Sequence, residues 1–218
     1  MKMNDNMKVL EGWEVVRLGE VSKFFKGRIF LKNDVNNDGK YEFIHYGELF
    51  TTYKENIKKV VSHIDNAKNA FFSKVNDVLM PTSDVTPSGL ATASCIKNDG
   101  VILGSDILVI RTKENIEGIY LSYVIRLNKT DILKLTRGTT VYHLYASEMA
   151  KFYFLLPPLP EQQRIAKILS QIDNTIEKEE AYKQKLERIK KGLMEDLLTG
   201  RVRVNKLIKE NKREENYG

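Results

Sequence analysis

Cysteine is almost missing from this chain: Cys95 stands alone among 218 residues, which excludes an internal disulfide and any metal site built from several thiolates. A chain without disulfides suits a reducing compartment, and the cytoplasm is the expected location. No run approaches the roughly 18 uncharged apolar residues of a membrane span. The opening MKMNDNMKVLEGW has no apolar stretch of signal-peptide length, so Met1, Met3 and Met7 are expected in a disordered leader. Signatures of catalysis are missing too. No G-x-G-x-x-G, Walker loop, H-E-x-x-H or G-x-S-x-G occurs. Leu156-Pro157-Pro158-Leu159 lacks the polar residue with which the Asn-Pro-Pro-Tyr box of adenine methyltransferases holds a flipped base. Asp77, Asp84 and Asp106 have no lysine at nuclease spacing, and the Asx-rich loop from Asn33-Asp34 to Asn36-Asn37-Asp38-Gly39 lacks the spacing and terminal glutamate of a calcium loop. No catalytic residue, metal ligand or bound cofactor is expected.

Proline is scarce, but three of the five fall together at Pro157, Pro158 and Pro160. Such a cluster cannot sit inside a helix or a central strand, because its nitrogens donate nothing and its φ angles are fixed. A new element therefore begins there, with Pro160 in a first helical turn and Glu161 complementing the positive end of the dipole. The stop falls at Gly200, after Thr199. Ile165, Leu169, Ile172, Ile176, Tyr182, Leu186, Ile189, Leu193 and Leu197 form an apolar seam whose steps mostly alternate four and three, slipping phase at Glu179-Glu180. The other faces are Lys, Glu, Gln and Arg. A helix of about 40 residues would be about 60 Å long, more than one small domain needs to cover its core. The seam predicts pairing with another long helix.

Upstream, the spacing is mixed. YEFIHY (residues 41–46) alternates as a strand, Val75 to Met80 reads as a strand stopped by Pro81, and Leu90 to Ile96 reads as a buried strand. Val101 to Ile110 reads as a strand pair or a bulged strand. Glu117 to Leu127 and Lys129 to Leu135 read as helices, Ser147 as an N-cap, and Phe152 to Leu156 as a last strand before the prolines. With strands and helices interleaved irregularly and no internal repeat, the class is α+β. The charge of +6 and pI near 9.2 favour a polyanionic partner.

Three stretches carry groups suited to nucleic acid. Lys26-Gly27-Arg28 sets a flexible backbone between two cations, either to approach a phosphate or as a solvated turn. The loop Thr82 to Gly89 is the densest run of small polar residues, with Ser83, Thr86 and Ser88 as candidate contacts. Arg137-Gly138-Thr139-Thr140-Val141-Tyr142-His143 joins a guanidinium, two hydroxyls, an aromatic ring and an imidazole. Arginine pairs bidentately with guanine, and threonine bonds a base or touches a thymine methyl. The other reading of Tyr142 and His143 is as packing residues that close a sheet.

The run Leu156-Pro157-Pro158-Leu159-Pro160-Glu161-Gln162-Gln163-Arg164-Ile165-Ala166, then Ile172-Asp173 and Leu197-Leu198-Thr199-Gly200, resembles the conserved helical region of type I restriction-modification specificity subunits. Gly12-Trp13-Glu14 with Arg17-Leu18-Gly19-Glu20-Val21 resembles the opening of a target recognition domain in that family, and Gly138-Thr139-Thr140-Val141 with His143-Leu144 resembles its last segment. The resemblance implies a mixed α/β recognition domain (residues 8–157), a helical spacer and dimerisation region forming an antiparallel coiled coil (residues 158–200), and a basic, frayed tail (residues 201–218). It also implies a non-catalytic chain that reads double-stranded DNA. That chain directs a methyltransferase subunit, which holds S-adenosylmethionine, and through it a restriction subunit. Family members typically carry two recognition domains and two such helices; one of each occurs here, as in a natural half-length protein, a truncated product or one piece of a split pair, and the apolar seam, which a monomer would leave exposed, points to a homodimer. The alternative is a free-standing DNA-binding or regulatory protein dimerised by its coiled coil.

Overall fold

The computed structural model describes residues 9–28, 30, 35–36 and 38–205. The leader methionines, Asn33-Asp34 and the tail beyond residue 205 lie outside the described residues. The chain divides into two compact units, the first ending at Ile168 and the second beginning at Leu169.

In chain order the first unit opens with β1 (Glu14–Arg17), α1 (Leu18–Val21), β2 (Ser22–Lys26), β3 (Tyr41–Ile44), α2 (Glu48–Thr51), β4 (Asn56–Ile57) and β5 (Ser62–Ile64). There follow β6 (Val78–Pro81), β7 (Ser83–Asp84), a 3-10 turn (Pro87–Ala91), β8 (Ser94–Ile96), β9 (Ile102–Leu103) and β10 (Ile107–Thr112). The sequence continues through α3 (Gly118–Leu127), α4 (Lys129–Leu133), β11 (Tyr142–His143), α5 (Ala146–Met149), β12 (Tyr153–Leu156) and α6 (Leu159–Leu198). The mixed α/β class is as expected.

The main sheet has the order β2-β10-β6-β8-β4. Its central strands read as unbroken apolar runs because both faces are covered. Strand alternation sends Val78, Met80, Leu108 and Ile110 into a core with α3, α4 and β12. It sends Leu79, Ile107 and Val109 into a second core with Leu49, Tyr53 and Ile57. Burial pushes the Cys95 thiol up to about 12, so it stays protonated and packs as a small apolar group. The Asp77 carboxylate, fully buried, takes two bonds from Arg111 at 2.8 and 2.7 Å, and the guanidinium lies over the Phe25 ring, 4.8 Å from its centre.

Several local expectations are corrected. Leu90 to Ile96 is not one strand: Pro87 starts a 3-10 turn that runs to Ala91, and only Ser94–Ile96 pairs. The turn needs Gly89, since a Cβ there would meet the Asp84 carboxylate at 2.0 Å. Val101 to Ile110 is two strands in different sheets, β9 beside β3 and β10 between β2 and β6, separated at Asp106, whose φ is +61°. The strand expected from Val75 to Met80 begins only at Val78, and it stops at Pro81 as expected, with the proline as its last residue, opposite Ile107. Ser147 lies inside α5, and Tyr145 holds the N-cap position without a side-chain bond.

The proline stop does what its geometry requires. β12 pairs antiparallel with β1, Glu14 opposite Leu156, and α6 then runs unbroken for 40 residues, through Gly192, with Gly200 at φ +75° beyond its end. Gln162, in the first turn, is 1% exposed. Its Oε1 accepts from the Glu117 N–H at 2.9 Å, and its Nε2 donates to the carbonyls of Asn115 at 3.0 Å and Pro157 at 2.8 Å. Trp13 Nε1 donates to the Glu161 carboxylate at 3.2 Å. Ala166 is buried and Ile165 packs against the main core. Ile165 therefore leaves the seam: it packs against the first unit's own core. The rest of the seam, from Leu169 to Leu197, is between 37% and 57% exposed.

Replacing Gln162 by Leu strands three backbone groups, and urea unfolding should show a loss of about 3 kcal/mol or more, from ~1–3 kcal/mol per buried unpaired group. The same change at exposed Gln163 should stay within about 0.5 kcal/mol. Equal effects at the two positions would contradict the lock.

Candidate nucleic-acid interface

β7 and β11 form a two-stranded ribbon apart from the main sheet, with Tyr142 opposite Asp84 and His143 opposite Ser83. Leu144 N–H donates to the Thr82 carbonyl at 2.9 Å, continuing the pairing. His143 is also locked to Arg137 by two reciprocal backbone bonds, 2.9 and 2.7 Å long. These bonds close a hairpin whose tip, residues 138–141, is exposed. Gly138 makes the turn at φ +119°, where an added Cβ would sit 2.0 Å from the Val141 carbonyl oxygen.

The fold thus brings together Ser83, Arg137, Thr139, Thr140 and His143 from stretches more than fifty residues apart in sequence. Thr86 is exposed just beyond β7 and donates its hydroxyl to Asp84 at 2.8 Å. Ser88 is exposed on the 3-10 turn, which packs beside both ribbon strands. Tyr142 packs against the main core and anchors the ribbon, so the packing reading holds for this ring.

Beside the ribbon runs a groove of about 380 Å³, walled by Lys26, Thr82, Asp106, His143 and Tyr145 over a floor that includes Phe24 and Leu108. Lys26 Nζ lies 3.3 Å from Asp106 Oδ1. The Thr82 hydroxyl donates to that same oxygen at 3.4 Å. The rings of His143 and Tyr145 stack with centroids 6.1 Å apart. Arg28 is exposed but bridges Gly104, on the connection beyond β2 and not on the ribbon. Gly27 is buried, and a Cβ there would come within 1.9 Å of the Gly104 carbonyl. Its close approach is to the protein's own backbone, which corrects both the phosphate and the solvated-turn readings of that glycine.

Sequence reasoning missed what holds Arg137. Its Nη2 donates to Glu148 at 3.2 Å, and Lys151 bonds the other carboxylate oxygen at 2.7 Å. The Lys151 bond first, and then the charge of Arg137, hold the Glu148 carboxyl below the usual carboxylate range. A guanidinium has five N–H donors, so one bond to Glu148 orients Arg137 while its side chain stays 63% exposed. Tyr145, Thr82 and Asp106 were also missed as groove residues, and no residue type or spacing could have found them, because the groove exists only once β2, β7 and β11 are placed. Asp77, Asp84 and Asp106 are each engaged in separate bonds. Among the described residues no group of three or more His, Cys, Asp or Glu is placed to hold a metal ion.

A mixed domain presents a polar ribbon beside basic side chains, and a long helix with a half-exposed apolar seam follows it in the chain. The family model of the type I restriction modification DNA specificity domain matches residues 10–188, and the chain belongs to that family. It is 31% identical over 207 residues to the type I restriction enzyme MjaVIII specificity subunit of Methanocaldococcus jannaschii, covering 94% of this chain and 46% of that protein. A putative MjaX specificity subunit of the same organism is 28% identical, at 93% and 46% coverage. The chain therefore spans about half the length of the curated relatives it matches. Among solved structures, one from work on complex assembly and conformational transition of the type I restriction-modification system shares the fold with a TM-score of 0.64 at 18% identity, over 89% of this chain and 47% of that one. The HsdS subunit of Thermoanaerobacter tengcongensis gives a TM-score of 0.59 at 18% identity, over 88% and 46%.

Proposed function

We propose that this chain is the DNA-reading, non-catalytic half of a type I restriction-modification specificity function. It reads a short half-site of duplex DNA and directs a methyltransferase subunit, and through it a restriction subunit, to that site in the cytoplasm. The observation that carries this reading is the gathering of Ser83, Thr86, Arg137, Thr139 and Thr140 around one exposed ribbon, where hydroxyls and a guanidinium can meet base edges. Lys26 across the groove and Arg28 beyond it are assigned to phosphates, which position the domain without reading sequence.

Assembly follows from the helix. Leu169, Ile172, Ile176, Tyr182, Leu186, Ile189, Leu193 and Leu197 stay between 37% and 57% exposed among the described residues, and a contiguous apolar stripe of that kind marks an interface. Two copies related by a two-fold axis bury it as an antiparallel coiled coil with one recognition domain at each end. Such a dimer reads equal half-sites on opposite strands, so its site is an inverted repeat.

The test is reconstitution. The purified chain with S-adenosylmethionine should transfer no methyl group to DNA, and addition of its methyltransferase subunit should yield adenine methylation at an inverted-repeat site. Transfer by the mass-verified chain alone would refute the reading, while sequence-specific binding with no affinity for any methyltransferase subunit would favour a free-standing DNA-binding protein. On the reconstituted site, Arg137→Ala should cost about 1–3 kcal/mol and relax one base position, whereas Lys26→Ala should weaken all sequences alike and flatten the salt dependence. Equal loss on cognate and random DNA for Arg137→Ala would move that residue to the phosphate class.

A further inference from the structure

We infer that the open end of the β7–β11 ribbon reads A·T pairs through the 5-methyl group of thymine, using a pair of bare valines, Val85 and Val141. The inference rests on the DNA-reading function proposed above and names the chemistry of its contact. The register sets Tyr142 opposite Asp84 and His143 opposite Ser83, and Val141 and Val85 are the chain neighbours of the Tyr142–Asp84 pair, just beyond the end of each strand. Side chains alternate across a strand. Tyr142 packs against the core, so His143 belongs to the other face of β11, and Val141 lies in the exposed hairpin tip. The exposures agree: Val85 is 70% exposed and Val141 41%.

A lone exposed valine needs no explanation. Two flanking the last pair of one ribbon, with the exposed threonines Thr86, Thr139 and Thr140 beside them in the chain, place apolar groups among hydrogen-bonding ones. A two-stranded ribbon fits the major groove of B-form DNA, where the methyl of thymine is the one apolar group among donors and acceptors, and a side chain that reads it must offer an apolar surface, as valine does without a competing hydroxyl. The surrounding polar and basic groups suit the rest of a base pair and its phosphates, which favours DNA over an apolar protein partner as the occupant.

The experiment selects duplexes from a randomised pool with the full chain, alone and in the methyltransferase complex, and then replaces each thymine of the enriched half-site by deoxyuridine. That exchange deletes the methyl and leaves the hydrogen-bonding edge unchanged. At one position or more, affinity should fall about fourfold, the equivalent of ~0.8 kcal/mol for one buried methyl-sized group. In a Val85→Ala/Val141→Ala variant, thymine and deoxyuridine should bind alike at that position, while the position sensitive to Arg137 keeps its preference. An enriched site without an A·T pair, no position responding to deoxyuridine, or full discrimination retained by the double variant would overturn the inference and leave DNA reading intact. Failure to enrich any sequence would overturn both.

Discussion

The seam of α6 sets the terms for everything else. From Leu169 to Leu197, eight apolar side chains lie along one helix with about half of their surface in water. Burying the remaining half of such a side chain contributes roughly 1 kcal/mol, and the gain grows with every turn a second helix can match. Polar faces of Lys, Glu and Arg keep the helix from collapsing onto anything less regular than another seam. The homodimer we propose rests on this stripe.

That stripe is useful only because the helix begins at a fixed place in a folded domain. Three consecutive constraints fix it: the prolines end β12, the buried amide of Gln162 ties the first turn to the Glu117 N–H and to two carbonyls, and Ile165 and Ala166 pack into the core. Glu117 is itself the N-cap of α3, so one glutamine couples the start of two helices. β1 and Trp13 close the same corner from the other end of the domain. The residues that carried the family resemblance, Gly12-Trp13-Glu14 and Pro160-Glu161-Gln162, are the ones that meet there.

What the sequence made legible follows from range of interaction. The long helix, its start at the prolines, α3 and the strands around Phe43, Val109 and Phe154 were readable because their periodicity or punctuation is local. Strands of two residues have no period to detect, so β7 and β11 were not foreseen as a ribbon, and a run such as Leu90 to Ile96 passed for a strand although Pro87 and Gly89 had already committed its first half to a turn. At the candidate site, residue types singled out Ser83, Thr86, Arg137, Thr139, Thr140 and His143, since hydroxyls and a guanidinium in loops have few structural uses. Sequence could not show that Ser83 and His143 are paired, that Glu148 orients Arg137, that Gly27 meets Gly104, or that Tyr142 and Ile165 belong to the interior. Each of these depends on a partner far along the chain.

In the homodimer we propose, two copies of this chain cover each other's seam and present two equal ribbons to DNA. The mass of the chain in solution at micromolar concentration, measured by light scattering, tests it most directly. Two chains are predicted, falling to one when Ile172, Leu186 and Ile189 are all replaced by Asp while the recognition domain keeps its unfolding transition. A mass of one chain for the unaltered protein would contradict the claim.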